Sequence, residues 1–427
     1  MMHPVLESVF SSFEQSDIRW CLLRTPHNLG SPNGGDVDVL VEPADMRRVR
    51  HILGALGLVQ LRPQRYGAHA HFLTYHPPTD CWIWLDLVTE LSFGRHNALQ
   101  TGVESVCLSR REYHGTVPTL ASDDEFWVLL MHCILDKGVI ASHHMPKLKA
   151  LAGAARTDGP VAQEIRPLCP AGWSLERMVA CAVQGDWTAL EGMAASLTAT
   201  WERHHAVAPW KILARRGGNL ISYILHARSY RGLSVAVLGP DGAGKTTLIS
   251  NLQSSFILPV RSVYMGLTGG LLRYISYLHL PGLVRISRFA VFWCRYLRAQ
   301  YHQALGRLVL YDRYIYDAMV PHPERLNWLR RVSRWMDGRA CPGPDLVLIL
   351  SAPGEVMHAR KGEYTPEMLE EWRRYYLALQ TRISDLEIID TTQAKDAVRA
   401  DALARIWKRY VVHWAKNSSA PCAADHV

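Results

Sequence analysis

A glycine-rich turn between a strand and a helix constrains the fold of this chain more than any other feature. Residues 233–238 form a continuous apolar run, typical of a strand buried on both faces of a parallel sheet, and a helix start follows at 248–253. Between them stands the pattern G-x-x-x-x-G-K-T, whose glycines let backbone N–H groups turn towards a phosphate at the helix N-terminus. We therefore predict a phosphate-binding loop, in which Lys245 contacts the β and γ oxygens and Thr246 holds Mg²⁺. Its residues are Gly239, Pro240, Asp241, Gly242, Ala243, Gly244, Lys245, Thr246 and Thr247.

Two further residues are placed to act on the same phosphates. An apolar strand at 308–311 leads into Asp312, and the carboxyl ends of parallel strands form the edge of the sheet where ligands bind. Asp312 is therefore predicted to orient Mg²⁺, and Arg313 beside it to clamp the phosphate of an acceptor. Strand signals at 345–351 and 387–390 alternate with helical ones, which predicts a doubly wound parallel sheet over 232–415.

The first 120 residues have a different organisation and carry three acids of interest. Helix signals at 5–16 and 45–56 alternate with strand signals at 19–23, 37–41 and 81–88, which predicts a small α/β unit. Asp36 and Asp38 share one face of a strand, and Asp86 lies in an otherwise apolar strand. The three carboxylates are predicted to form a Mg²⁺ site. An inactive site and two solvated acids at a strand start are the alternatives.

Composition and length predict the number of domains, the compartment and the lack of a membrane span. The 427 residues predict at least two domains, with a helical extension at 121–208, a basic connector at 209–231 and a frayed tail at 416–427. Nine scattered cysteines without a C-x-x-C pair indicate a reducing compartment. No signal peptide and no uninterrupted apolar span is present, which predicts a cytoplasmic chain without a membrane span.

One segment is strongly basic. Residues 261–340 contain thirteen arginines, no lysine and only four acids, a net charge of +9 against +8 for the whole chain. This arginine block indicates either an anionic partner or the solvated face of helices. Arginine without lysine suits the bidentate recognition of phosphate, and interleaved aromatic residues could stack on bases.

Several motifs of the carboxy-terminal half together resemble the thymidylate kinases, within the nucleoside monophosphate kinase group. The matching pieces cover most of 233–410: GPDGAGKTTL at 239–248, YDRY at 311–314, PDLVLILSAP at 344–353, Arg360-Lys361, and IIDTT at 388–392. The resemblance implies ATP-dependent phosphoryl transfer with Mg²⁺, with Lys245 on the phosphates and Asp241, Arg313 and Tyr314 on the acceptor. Arg360 or Lys361 would close over the transferred group. The stretches at 261–270 and 315–323 lack the family's thymine-reading patterns, which argues against dTMP and leaves the acceptor as a nucleotide or another small anionic molecule.

The amino-terminal half resembles the nucleotidyltransferase superfamily of the polymerase β type. The pattern GGDVDVLV at 34–41 and the helical continuation through Asp123, His132, Lys137 and Lys147 carry the likeness, which implies an α+β domain with Mg²⁺ at Asp36, Asp38 and Asp86. Leu22-Leu-Arg-Thr25 stands where that family has its phosphate-holding glycine loop, so activity is left open. The leading hypothesis is a phosphotransferase, with ATP and a small anionic acceptor as partners. Its alternatives are a nucleotidyltransferase with an accessory kinase domain, a nucleic-acid-associated ATPase, and a binding module without catalysis; a homodimer is possible.

Overall fold

A computed structural model of the chain describes residues 2–24, 29–30, 35–61, 69–94, 99–204, 231–266, 281–320 and 328–418. The chain divides into two compact units. The amino-terminal unit comprises Met1–His76 and Cys81–Leu225, and the carboxy-terminal unit comprises Pro77–Asp80 and His226–Val427. Most of the predicted connector at 209–231 and of the predicted tail at 416–427 lies outside the described residues. The last helix continues to Ser418, past the predicted start of that tail.

The amino-terminal unit is built on a seven-stranded mixed sheet with the strand order β3-β4-β5-β2-β1-β9-β8. Strands β2 and β5 are parallel neighbours whose register sets Asp38 opposite Asp86. Strands β6 and β7 form a separate antiparallel pair. The strands are β1 (Trp20–Leu22), β2 (Asp36–Val41), β3 (Val59–Gln60), β4 (His69–His76), β5 (Cys81–Val88), β6 (Ser92–Phe93), β7 (Leu99–Gln100), β8 (Glu112–His114) and β9 (Val117–Thr119).

Nine α-helices of this unit lie in the part of the chain that the structure describes. The first buries Leu6, Val9, Phe10 and Phe13, the spacing of one helical face, against the sheet. From Ser122 to His204 the unit is helical, as the sequence predicts. The helices are α1 (Pro4–Gln15), α2 (Met46–Ala55), α3 (Glu104–Ser109), α4 (Ser122–Met131), α5 (Met145–Ala152), α6 (Pro160–Ile165), α7 (Leu175–Gln184), α8 (Trp187–Gly192) and α9 (Ala194–His204).

The carboxy-terminal unit is built on a parallel sheet of five strands in the order β11-β12-β10-β13-β14. The α/β class is thereby confirmed. The strands are β10 (Ser234–Leu238), β11 (Val260–Tyr264), β12 (Leu308–Asp312), β13 (Leu346–Ser351) and β14 (Leu386–Asp390). The helices are α10 (Lys245–Ser255), α11 (Pro281–Ala304), α12 (Trp328–Asp337), α13 (Gly354–Lys361), α14 (Pro366–Ala378) and α15 (Lys395–Ser418).

The central strand β10 is buried on both faces, which explains its continuous apolar sequence. Ala236 and Leu238 pack in one core cluster with Phe292 of α11 and Tyr376 of α14. Because side chains alternate along a strand, Val235 and Val237 point to the opposite face, where they are equally buried. This burial holds β10 rigidly beneath the glycine-rich turn that follows it.

Two further expectations concern the environment of the chain. In the described ranges, no helix is both long enough and apolar enough to cross a membrane. The eight cysteines that the structure describes are free thiols. The cytoplasmic location stays a prediction.

Candidate functional site

The glycine-rich turn adopts a backbone that other residues would not tolerate. Gly239 and Gly242 have φ angles of +142° and +82°, which L side chains rarely adopt. A Cβ atom on Gly242 would lie 2.4 Å from the carbonyl oxygen of Met357, and one on Gly239 would lie 2.6 Å from that of Leu350. Helix α10 begins directly after the turn, so its first N–H groups have no partners within the helix. The turn and the helix start together form a cradle for an anion.

This cradle borders a cavity of about 530 Å³. The predicted residues that line the cavity are Asp241, Gly242, Ala243, Gly244, Lys245, Thr246, Thr247, Asp312, Arg313 and Arg360. Gly239 and Pro240 belong to the same turn and offer their carbonyl oxygens to Lys245. Thr391, Gln393 and Lys395 also line the cavity, although the sequence analysis gave them no role. Their position just after β14 is the signal that could have found them, since parallel strands end at one edge.

Lys245 and Asp241 form the electrostatic centre of the cavity. The Lys245 side chain is 8% exposed. Its ammonium donates to the carbonyl oxygens of Gly239 (2.9 Å) and Pro240 (2.8 Å) and lies 3.5 Å from the Asp241 carboxylate. Burial, and then the nearby Arg313, lowers the pKa of Lys245. Burial alone would raise the pKa of Asp241, but its three neighbouring cations lower it. The carboxylate therefore stays charged.

Arg313 reaches into the cavity from a strained backbone. Its φ angle is +64°, in the left-handed region that costs a non-glycine residue about 1–2 kcal/mol. The backbone N–H of Arg313 donates to the carbonyl oxygen of Val237 at 3.3 Å, and its guanidinium lies 2.8 Å from Asp241 and 3.6 Å from Asp317. Backbone strain of this kind is concentrated at functional sites. The turn at Arg313 directs the guanidinium towards the anion cradle.

Tyr314 is a correction to the predicted acceptor site. Its side chain is fully buried, its hydroxyl donates to the carbonyl oxygen of Pro342, and its ring packs against Tyr311 and Tyr316. The left-handed turn at the preceding residue ends the strand alternation and sends Tyr314 into the core. It therefore has a packing role. Arg360, in contrast, lines the cavity and donates to the carbonyl oxygen of Thr391 at 2.7 Å.

The three acids of the amino-terminal unit come together as the sequence predicts. Asp36, Asp38 and Asp86 each place a carboxylate oxygen within 4.8 Å of the others. Arg24 pairs with Asp38 at 2.6 Å. Burial raises the pKa of Asp38 to about 6, because the effect of Arg24 only partly offsets the desolvation. Oxygen donors at this separation suit Mg²⁺ or Mn²⁺.

Histidines flank this acidic cluster on strand β4. His69 Nδ1 lies 3.0 and 3.1 Å from the two oxygens of Asp86, and His71 Nδ1 lies 3.3 Å from one of them. Burial would lower the pKa of His69, but the hydrogen bond to Asp86 and its charge raise it. All of these groups border a cavity of about 830 Å³. The sequence analysis did not foresee that Arg24 and the histidines join the acids.

The arginine block supplies contacts within the carboxy-terminal unit. Arg288 pairs with the buried Asp337 at 2.8 Å, and Arg334 donates to two backbone carbonyls at 2.6 and 3.1 Å. Arg295 donates to the carbonyl oxygen of Gly266 and lies over the ring of Tyr264. These guanidinium groups hold helices α11 and α12 to the rest of the unit.

Comparison with known proteins adds no assignment to this geometry. The chain matches no protein-family model, and none of the curated proteins matches it. The two cavities and their side chains therefore carry the functional inference.

Proposed function

We propose that the chain is an ATP-dependent phosphotransferase acting on a small anionic acceptor, with the thymidylate kinase-like reaction in its carboxy-terminal unit. One observation carries the proposal: the phosphate cradle, an acid at the end of the neighbouring strand and cations from four separate segments border one cavity. The cations are Lys245, Arg313, the pair Arg360 and Lys361, and Lys395. A transferred phosphoryl group needs charge stabilisation from several directions, which this arrangement supplies.

The donor set at this cavity fits a magnesium ion. The hydroxyl of Thr246 and the carboxylate of Asp312 both border it, and hard oxygen donors are the ligands that Mg²⁺ prefers. When bound, Mg²⁺ supplies neutralisation of the charge that develops on the phosphate oxygens. Lys245 would exchange its two carbonyl partners for phosphate oxygens, and the N-terminus of α10 would add N–H donors.

The position of Arg313 favours transfer to an acceptor over simple hydrolysis. Its guanidinium borders the cavity beside Asp241, where a bidentate fork can hold the phosphate of a second molecule. A hydrolase needs a residue that orients water, and the motifs supply no such residue. A screen of candidate acceptors will identify the acceptor.

The test is acceptor-dependent ADP release. The full chain with Mg²⁺-ATP is incubated with nucleoside monophosphates, sugar phosphates and inorganic phosphate, one at a time, in a coupled assay. We expect turnover with particular phosphorylated acceptors and little without one. ADP release that needs no acceptor and rises with DNA or RNA would contradict the proposal, as would nucleotide binding without turnover under every condition.

A second candidate function is nucleotidyl transfer by the amino-terminal unit. The convergence of Asp36, Asp38 and Asp86 within 4.8 Å favours it. Two cations held by such acids can activate an attacking hydroxyl and stabilise the pyrophosphate leaving group. With both activities the chain would carry out consecutive phosphate chemistry on one metabolite. The assay is pyrophosphate release from nucleoside triphosphates with Mg²⁺ or Mn²⁺, compared with Asp38→Asn. Equal release by wild type and variant would count against this second function.

A further inference from the structure

Arg313 lies between two carboxylates that differ in their surroundings. Asp241 is 21% exposed, borders the cavity and is shared with Lys245 and Lys361, whose ammonium groups lie 3.5 and 4.0 Å away. Asp317 is 10% exposed and accepts a hydrogen bond of 2.9 Å from the hydroxyl of Tyr376. The first carboxylate is accessible to a ligand, and the second is enclosed in the protein.

The enclosed carboxylate is held from two directions. Asp317 belongs to the short 3-10 helix Ile315–Ala318 that follows strand β12, so its backbone is tied to the end of the sheet. Tyr376 lies on α14, is 6% exposed and packs in the core cluster beneath the sheet. Burial raises the pKa of Asp317, and Arg313, the tyrosine hydroxyl and Lys245 oppose that effect; Arg334 also interacts with its charge. A charge buried in this way keeps its partner in one place.

We infer that Asp317, anchored by Tyr376, is a positioning residue that orients Arg313 for a phosphate-bearing acceptor, with Asp241 as the counter-ion that the acceptor phosphate replaces. The inference rests on the proposed function and names the acceptor class for the same site. Three cations already converge on Asp241, and a phosphate monoester offers them more charge and three oxygens. Asp317 would remain paired with Arg313 throughout, because its surroundings admit no ligand. The Arg313 guanidinium would therefore already be oriented to bind the acceptor phosphate when the acceptor enters.

The test measures binding at the acceptor and nucleotide positions separately. Phenyl phosphate is titrated calorimetrically into the full chain saturated with Mg²⁺ and a non-hydrolysable ATP analogue, and the analogue is titrated alone. Asp317→Asn keeps the shape and removes the charge, and Tyr376→Phe removes only the anchoring hydroxyl. Tyr375→Phe is the matched control, since the neighbouring Tyr375 hydroxyl donates to Glu371 at 2.5 Å on the same helix. Thermal unfolding of each variant monitors folding.

We expect Asp317→Asn to raise the Kd of phenyl phosphate at least tenfold and Tyr376→Phe to raise it three- to tenfold. The Kd of the ATP analogue should change less than twofold, Tyr375→Phe should change neither, and Asp317→Glu should recover part of the loss. Should Asp317→Asn fail to fold, Tyr376→Phe decides alone. An unchanged Kd of phenyl phosphate in Tyr376→Phe and in any folded Asp317 variant, or equal loss of both ligands, overturns the inference while the proposed function stands. A wild type that binds no nucleotide overturns both.

Discussion

Replacing Lys245 by alanine is the sharpest test of the phosphate cradle. The ammonium makes two hydrogen bonds to loop carbonyls, at 2.8 and 2.9 Å, and lies 3.5 Å from Asp241. Each hydrogen bond to a charged group is worth about 1.5–3 kcal/mol, but the carbonyls belong to a loop that borders a water-accessible cavity, and Asp241 keeps Arg313 as a partner. Relief from the burial that lowers the pKa of Lys245 offsets part of the loss.

The expected cost to stability is therefore about 1 kcal/mol or less, or a shift of about 2–4 °C in the melting temperature of a unit of this size. The expected cost to catalysis is far larger. Removing one preorganised charge-stabilising donor lowers kcat by about 10²–10³, which corresponds to about 2.7–4 kcal/mol. The separation of these two effects is what distinguishes a catalytic ammonium from a structural one.

The assay compares acceptor-dependent ADP release and thermal unfolding in wild type, Lys245→Ala and Lys408→Ala. Lys408 is exposed on helix α15 and serves as a control for the loss of one positive charge. The control should match wild type in both measurements. A kcat near that of wild type in Lys245→Ala would remove the basis of the phosphotransferase proposal. A large fall in melting temperature together with the fall in kcat would point to a structural role instead.

Four more outcomes follow from the two sites. Asp312→Asn should impair Mg²⁺-dependent turnover far more than nucleotide binding, and equal loss in both would indicate a structural residue. Arg313→Lys should raise the acceptor KM with little change in the KM for ATP, because lysine loses the bidentate fork; steep salt sensitivity of binding to a random oligonucleotide, with the acceptor KM unchanged, would favour nucleic acid instead. Gly242→Ala should abolish nucleotide binding, since its Cβ would meet the Met357 carbonyl at 2.4 Å, and calorimetry checks this. Burial raises the pKa of Asp38 to about 6, so its ionisation destabilises the fold progressively from about pH 4 to pH 6 and by a constant amount above that. Asp38→Asn should therefore stabilise the fold by up to about 3 kcal/mol at pH 8 and by little near pH 4, as measured by denaturant unfolding.

The sequence predicted best the strands whose burial gives them a simple apolar sequence pattern. Strand β5 has the predicted bounds. Strands β10, β12 and β13 differ from the predictions by a residue or so, because strands of a parallel sheet are apolar on both faces. Strand β11 escaped detection since four of its five side chains are exposed or half-buried, and its sequence, VRSVY, has no clean period. Pairing with β12, and not its own composition, makes it a strand.

The roles of neighbouring side chains around Asp312 could not be deduced from their order. In an extended strand, Asp312 and Tyr314 would share one face, with Arg313 on the other. The left-handed backbone at Arg313 breaks that alternation, so Tyr314 enters the core. Similarly, Asp317 and Tyr376 are 59 residues apart in sequence, and only the packing of α14 beneath the sheet brings them together.

The choice of arginine over lysine in the arginine block has a physical explanation in the contacts of its members. A guanidinium can bind two backbone carbonyls at once, as Arg334 does, or bind a carbonyl and cover an aromatic ring, as Arg295 does. An ammonium has neither a planar fork nor a face that stacks. Arg288, Arg295 and Arg334 thus have partners inside the fold, whereas Arg261, Arg298 and Arg331 are exposed. Arg313 differs from Arg295 and Arg334, because one of its two carboxylate partners borders the cavity and is accessible to a ligand. An anionic small molecule is therefore expected at that position.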